Sequence, residues 1–214
     1  MTELTLMIEL KSDALIGTGE GWGATIDSDI VFDDVGLPYI PAKRIKGCLR
    51  ESALEVAEMF EQSKMTDKMS DSISVLFGDA GNIRSAQLEF SNCYLKDYIL
   101  SKKWLKWAND AQKNVLSKEI IVSTFTSIRQ HTAIENNGIA KEHSLRTYRV
   151  LKKGNVFFGN ICFNNIDESL FKFLVYSINN MRYLGTNRNR GLGSIRCELQ
   201  DSESNNLCEK FKLE

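Results

Sequence analysis

The chain has 214 residues, of which 43% are hydrophobic and 26% charged, as is typical of a soluble globular protein with one ordinary core. Its formal net charge is −1, so any nucleic-acid partner would have to be bound by local basic patches. No run is long enough to cross a membrane, and residues 1–5 lack the features of a signal peptide. We therefore expect a cytoplasmic protein without membrane contact.

The cysteine and histidine content argues against a zinc site. The five cysteines are widely spaced without a Cys-x-x-Cys pair, and the two histidines are His131 and His143. This pattern lacks the ligand spacing of a zinc centre. Cys162 and Cys197 lie in apolar runs, which predicts buried free thiols. We expect no organic cofactor.

The first quarter of the chain changes from a period of two to a helical period. Residues 4–11 alternate between apolar and polar, which predicts a strand, and a glycine-rich loop follows at 17–23. The apolar residues after Pro41 fall on one arc, which predicts a helix over 42–61. Lys43, Lys46 and Arg50 lie beside that arc and could point towards the glycine-rich loops. An ordinary solvated helix flank would have the same pattern.

The middle of the chain is less regular. We predict a loop with one short turn (62–83), a strand (86–95), a helix (97–116) and a further strand (120–125). Trp104 and Trp107 on this helix could stack on bases, or could pack in the core or against another subunit. Residues 129–149 are polar, with the turn signal Asn136-Asn137-Gly138.

The last third has clear periodicity again. The β-prone run 156–163 precedes a helix for which Asp167 is the predicted N-cap, and the last strand passes through residues 195–199. Residues 184–194 contain three glycines and two arginines. Glycine allows close approach of backbone N–H groups, and arginine matches phosphate oxygens, so this loop could bind a polyanion. The alternative is a helix-to-strand turn with solvated arginines.

Without the middle section, the order of elements is strand, helix, strand, strand, helix, strand. That order predicts an α+β, ferredoxin-like (split βαβ) fold, which RNA-recognition modules also use. We expect residues 1–95 and 155–214 to form a ferredoxin-like palm, and residues 96–154 to form an inserted thumb or helical region. The aromatic signature of an ordinary RNA-recognition motif is absent from the sequence.

Several motifs give the chain a resemblance to the RAMP superfamily of CRISPR-associated proteins, specifically to backbone-type subunits of type III effector complexes. The motifs are Gly17-Thr18-Gly19-Glu20-Gly21, the stretch 36–50 from Gly36-Leu37-Pro38 to Leu49-Arg50, Leu76-Phe77-Gly78-Asp79 and Gly191-Leu192-Gly193. The stretch 36–50 is the most specific of them. Residues 132–146 look like the thumb hairpin of these subunits.

The resemblance implies a guide-RNA interface and a set of partners. The implied RNA-binding residues are Gly19, Gly21, Lys43, Arg44, Lys46, Arg50, Arg129, Arg146, Arg188, Arg190, Gly191 and Gly193. The implied partners are a guide CRISPR RNA, a complementary target RNA, other RAMP and type III complex subunits, and copies of the chain itself along the guide.

The resemblance also implies that a loop aspartate cleaves the paired target RNA with a divalent metal ion such as Mg²⁺. Asp27 matches this position, while Asp29, Asp33 and Asp34 are competing candidates, and a turn or solvated acidic loop is the alternative. A carboxylate on a loop can hold hydrated Mg²⁺ or orient a base. Two other functions stay open: a non-catalytic structural subunit, and a metal-independent guide-processing endoribonuclease that uses His131.

Overall fold

The computed structural model describes residues 1–17, 26–64, 69–79, 86–111, 116–136 and 138–211. The strands in these ranges are β1 (Thr2–Leu10), β2 (Tyr39–Ile40), β3 (Leu88–Phe90), β4 (Cys93–Leu95), β5 (Thr126–His131), β6 (Arg146–Leu151), β7 (Val156–Phe163) and β8 (Ile195–Gln200). The helices are α1 (Ala42–Gln62), α2 (Met69–Phe77), α3 (Tyr98–Ala111), α4 (Lys118–Phe125), α5 (Glu168–Asn180) and α6 (Leu207–Lys210), with a 3-10 turn at Arg188–Arg190. No helix within the described ranges is long and apolar enough to cross a membrane.

The main sheet has the strand order β2-β4-β7-β1-β8, and β3 also pairs with β7. The central pair is antiparallel, from Thr2 opposite Phe163 to Glu9 opposite Val156. Apart from the short β2, strand β4 lies beside β7, β7 beside β1, and β1 beside β8. This is the strand order of a ferredoxin-like fold. The predicted α+β, ferredoxin-like fold is therefore confirmed.

The core lies where the sheet packs against α1 and α5. Alternate residues of β1, from Leu4 to Leu10, are buried, and so are alternate residues of β7, including Phe157. The same cluster contains Leu49 of α1 and Leu174 of α5. Burial of these side chains is the main stabilising contribution to such a fold. The predictions for β1, α1, β7, α5 and β8 are confirmed, because their strong periodicity matches the faces that they bury.

A second, smaller hydrophobic cluster lies between α3, α4 and the segment 33–37. Its buried members are Val35, Leu37, Leu105 and Ile121. Along the chain, α3, α4, β5 and β6 come between β4 and β7. The assignment of residues 96–154 to a separate inserted region stays a prediction.

Three predictions for the middle of the chain are wrong or incomplete. Residues 69–77 form helix α2 rather than a loop, because Ile73, Leu76 and Phe77 are spaced to be buried together. Residues 118–125 form helix α4 rather than a strand, with Ser117 accepting a hydrogen bond from the Ile120 N–H as N-cap. A short apolar run fits either element, and burial in the second cluster favours the helix here.

The predicted strand over 86–95 is divided into β3 and β4. Between them, the Asn92 side chain accepts a 2.9 Å hydrogen bond from the Ala42 N–H at the start of α1. The interruption therefore satisfies one backbone donor of the helix that carries the predicted basic residues.

The described cysteines are all free thiols. Cys197 is buried, as predicted, whereas Cys162 is only half-buried. Burial raises the pKa of both thiols, so neither has the lowered pKa of a reactive thiol.

Candidate nucleic-acid interface

The glycine-rich loop at 184–194 lies against α1. The Arg188 guanidinium donates a 2.8 Å hydrogen bond to the Glu51 carboxylate and lies 3.8 Å from Cys48 Sγ, both on α1. It also donates to the Gly185 carbonyl at 3.0 Å. The structure therefore brings together two basic segments that are separated by more than a hundred residues of sequence.

Backbone hydrogen bonds hold this loop against the segment that follows β1. The Gly193 N–H donates to the Asp13 carbonyl at 2.8 Å, and the Thr186 N–H donates to the Leu15 carbonyl at 3.0 Å. Gly193 has φ of +78°, and an added Cβ would collide with the Leu184 carbonyl. A glycine is needed there for both reasons. Gly191 also has a positive φ of +77°, but open space surrounds it.

The early glycine loop continues from this segment. The predicted RNA-binding residues Gly19 and Gly21 lie outside the described residues. Asp13 and Leu15, which precede that stretch, accept hydrogen bonds from the loop at 184–194. The chain therefore passes beside the C-terminal loop shortly before the early glycine-rich stretch.

The predicted basic residues of α1 form no ion pair with any residue that the structure describes. Lys43 and Arg44 are exposed, and Lys46 and Arg50 are half-buried. Within the part of the chain that the structure describes, none of these side chains has a hydrogen bond or ion pair, and exposed Arg190 resembles them in this respect. We call these five residues the basic surface. Cations without an ion-pair partner, next to a glycine-rich loop, are suited to phosphate binding.

Asp27 lies on a segment that runs beside β6. Its N–H donates to the Thr147 carbonyl at 2.9 Å, and its carboxylate accepts 2.7 Å and 3.1 Å hydrogen bonds from the Thr147 N–H and Arg146 Nη1. The Thr147 N–H and, secondarily, the Arg146 guanidinium hold the pKa of this carboxyl below its ordinary value. The Asp27 carboxylate is therefore ionised and accessible, with 36% of its side chain exposed.

The competing acids have other structural contacts. Asp29 is buried and pairs with Arg149 at 2.8 Å. Asp33 accepts hydrogen bonds from three successive backbone N–H groups, those of residues 35–37, and from the Tyr98 hydroxyl. Asp34 is exposed, but Lys102 and Lys106 both pair with it and lower its pKa. Asp29 and Asp33 therefore have structural roles, and the negative charge of Asp34 is balanced by two lysines.

The stretch 132–146, predicted to be a thumb hairpin, connects β5 to β6, and these two strands pair antiparallel. The arginines of this β5–β6 hairpin contact acids outside it. Arg129 pairs with Asp13 at 2.6 Å, Arg146 with Asp27, and Arg149 with Asp29. The sequence prediction missed Asp13 and Arg149. Neither residue lies in a motif, so nothing in the sequence indicates the pairing.

The two histidines are placed differently. His131 is half-buried at the end of β5, with its ring 5.6 Å from the Tyr148 ring. Its buried Nε2 atom has no hydrogen-bond partner among the described residues. His143 is exposed. On α3, Trp104 and Trp107 are 55% and 63% exposed, so the core alternative for these two residues is wrong.

The donors for a metal ion are few. Within the described ranges, no group of three or more His, Cys, Asp or Glu side chains is arranged to hold a metal ion. Mg²⁺ is often held by one or two carboxylates together with substrate phosphates. A single accessible carboxylate, such as that of Asp27, is therefore compatible with a site in which substrate phosphates supply the other ligands.

Comparison with known proteins assigns the chain to a family. The sequence model of the RAMP superfamily matches residues 7–196, so the chain belongs to the RAMP superfamily. The family resemblance predicted from its motifs is confirmed. A search of curated proteins gives no match.

Two solved structures share the fold over nearly all of the chain. A chain of Type III-B Cmr-beta bound to cognate target RNA, seen by cryo-EM, has a TM-score of 0.69 and 14% identity, with 93% of this chain and 97% of that one covered. A chain of Type III-B Cmr-beta in the apo state, also seen by cryo-EM, has a TM-score of 0.63 and 15% identity, with 92% and 97% covered. At these identities the similarity establishes the fold.

Proposed function

We propose that the chain is a backbone subunit of a type III interference complex that binds guide CRISPR RNA and cleaves complementary target RNA through Asp27. The observation that carries the proposal is the contact of Arg188 with Glu51, which places the glycine-rich loop beside the basic helix α1. RAMP-superfamily membership supports it. So does the similarity to a Type III-B structure bound to cognate target RNA.

RNA binding in this proposal depends on the basic surface. Phosphate contacts from lysine and arginine supply most of the affinity of a sequence-independent nucleic-acid interface. Arg188 has a positioning role, because its guanidinium is already bound to Glu51 and to the Gly185 carbonyl. Gly191, which open space surrounds, allows the backbone to approach the phosphates, and Gly193 maintains the conformation of the loop.

Cleavage in this proposal depends on Asp27. Its Oδ2 atom is oriented by the Thr147 N–H, so the carboxylate is held at the edge of the hairpin while still exposed. A divalent ion such as Mg²⁺, when bound, would polarise a phosphate oxygen and offset the charge that develops during cleavage. Asp27 would hold that ion or orient the 2′-hydroxyl, and the hairpin would help to place the 2′-oxygen in line with the phosphorus.

Substitution of Asp27 tests the catalytic assignment. The complex carrying Asp27→Ala should bind target RNA and lose cleavage by about a hundredfold or more, since it lacks the proposed catalytic carboxylate. Cleavage by the unmodified complex should stop in EDTA. The matched control is Asp34→Ala, an exposed acid seven residues away whose charge is balanced by Lys102 and Lys106. Unchanged cleavage by Asp27→Ala would overturn the assignment.

Charge reversal on α1 tests the binding surface. Lys43→Glu combined with Arg44→Glu should weaken guide-RNA binding by at least about tenfold at 0.1 M salt, and should make the dependence of the binding constant on salt shallower. The control Lys96→Glu with Lys103→Glu changes the net charge equally at two exposed lysines of another surface. Equal losses in the two double variants would contradict a localised interface.

The geometry favours one of the two alternative functions and disfavours the other. A non-catalytic subunit is favoured by one observation, the ion pair in which Asp27 already takes part. The processing endoribonuclease is disfavoured, because the Nε2 atom of His131 is covered by protein and cannot reach a substrate in this conformation. Cleavage that persists in EDTA but is lost in His131→Ala would favour it nevertheless.

A further inference from the structure

Two ion pairs join the acidic segment 27–29 to β6, and they differ in exposure. In the Asp29–Arg149 pair, the Asp29 side chain is only 6% exposed, so solvent hardly reaches its carboxylate. The Arg149 guanidinium also lies over the Phe32 ring, 5.6 Å from its centre. In the Asp27–Arg146 pair, the side chains are 36% and 58% exposed. The first pair therefore anchors the segment to the hairpin, whereas water and solutes can reach the second.

The exposed pair is also held by few contacts. Arg146 uses one nitrogen, Nη1, at 3.1 Å from Asp27 Oδ1. An exposed ion pair of this kind contributes little net stability, because solvent and salt screen it. A phosphate can accept two parallel N–H bonds from the same guanidinium, which is a stronger arrangement.

Asp27 would keep its position if Arg146 left it. The Oδ2 atom accepts a 2.7 Å hydrogen bond from the Thr147 N–H, and the Asp27 N–H donates to the Thr147 carbonyl. Only the Oδ1 atom loses its partner in such an exchange. The carboxylate would then present a free, oriented oxygen next to the guanidinium that had released it.

We propose that Arg146 exchanges partners when RNA binds: a phosphate of the target strand replaces the Asp27 carboxylate on the guanidinium and is held beside the freed Oδ1 atom. This inference rests on the proposed function and adds the partner exchange to it. In the free protein Asp27 occupies Arg146, so the acid competes with the phosphate for the same guanidinium.

The second hairpin arginine serves as a comparison. Arg129 contacts Asp13 through both Nε and Nη2, and the Asp13 side chain is only 13% exposed. Asp13 also accepts a hydrogen bond from the Lys153 N–H. Removal of the Asp13 charge should therefore mainly weaken the attachment of the hairpin. It is not expected to make the Arg129 guanidinium available to RNA.

A double-mutant cycle on binding tests the exchange without reference to cleavage. The protein is first loaded with guide RNA. The probe is a complementary DNA strand, which carries phosphates but has no 2′-hydroxyl to react. Affinity for the DNA strand is measured for the unmodified protein, Asp27→Asn, Arg146→Gln and the double variant. Because the exposed pair is weak, Asp27→Asn should tighten binding about two- to fivefold, and this gain should vanish in the Arg146→Gln background.

The cycle distinguishes exchange from simple repulsion. If Asp27→Asn tightens binding equally in both backgrounds, the acid merely repels phosphate and the exchange is wrong. No gain in either background also overturns it. The result is separable from the proposed catalysis, because loss of cleavage in Asp27→Ala can occur with or without coupling in the cycle.

Discussion

The main sheet and the β5–β6 hairpin are both antiparallel, but different interactions hold them in place. In the main sheet, alternate side chains of β1 and β7 are buried against α1 and α5. In the outer part of the hairpin, Ile128 and Ile134 are 51% and 71% exposed. Among the described residues, its arginines pair with three acids outside it. The sheet is thus held by hydrophobic burial along its length. The hairpin is buried in the main core at Val150 and Leu151, and ion pairs join its arginines to acids outside it.

The largest expected effect contrasts side chains of the two regions. Phe157 of β7 is fully buried, so Phe157→Ala should lower the free energy of unfolding by about 4 kcal/mol through lost burial and a new cavity. Ile134→Ala in the connection between β5 and β6 should change it by less than about 0.5 kcal/mol. Urea unfolding measures both. Similar losses would mean that the hairpin is packed in a core of its own.

The next effect contrasts the two ion pairs of the acidic segment. Asp29→Ala leaves Arg149 with an unpaired charge in a largely buried place, and should destabilise the protein by about 3 kcal/mol. Asp27→Ala should produce a much smaller change in the same urea experiment, because water can solvate Arg146. A larger loss for Asp27→Ala than for Asp29→Ala would reverse the assignment of anchor and exchangeable pair.

The smallest expected effect is on the loss of stability at acid pH. The pKa of Asp27 is lowered, chiefly by the Thr147 N–H; burial alone would raise the pKa of Asp13, but Arg129 and the Lys153 N–H lower it overall. Since both carboxyls bind protons less readily when folded, their stabilisation is present above a pH of about 4 and is lost as the pH falls through the folded values.

The double variant Asp13→Asn with Asp27→Asn tests this dependence. Between about pH 5 and pH 2, its thermal midpoint should fall less steeply than that of the unmodified protein. As the pH falls, the protection of amides in β5 and β6 against hydrogen exchange, taken relative to the intrinsic exchange rate, should be lost before that of amides in β1 and β7. Identical pH profiles for the two proteins would show that these pairs do not hold the hairpin.

Much of the palm could be predicted because its signals are local. The sequence predicts β7 over its observed range and Asp167 as the N-cap of α5, since a period of two or a capping residue can be recognised within a few positions. For α2 the sequence predicts a loop, and for α4 a strand, and both predictions are wrong. Each run is short, and only its burial against distant residues favours a helix.

The candidate site was only partly predictable. The motif resemblance predicts Asp27 and the basic residues of α1 as site residues, but it does not predict their contacts. Asp13 and Arg129 are 116 positions apart in sequence, and Asp27 and Arg146 are 119 apart, so no local pattern indicates that they meet. The exposure of Asp27 and the burial of Asp29 likewise depend on how the hairpin lies beside the segment after β1.

The sequence by itself determined the family and the ferredoxin-like order of elements, because periodicity, capping and motifs are properties of neighbouring positions. It also predicts the residues of the basic surface. Only the tertiary structure decided that Arg188 holds the glycine-rich loop against α1. It alone also separated the exposed pair of Asp27 from the buried pair of Asp29. Charge pairing and solvent access arise from contacts between distant segments, and these exist only once the chain has folded.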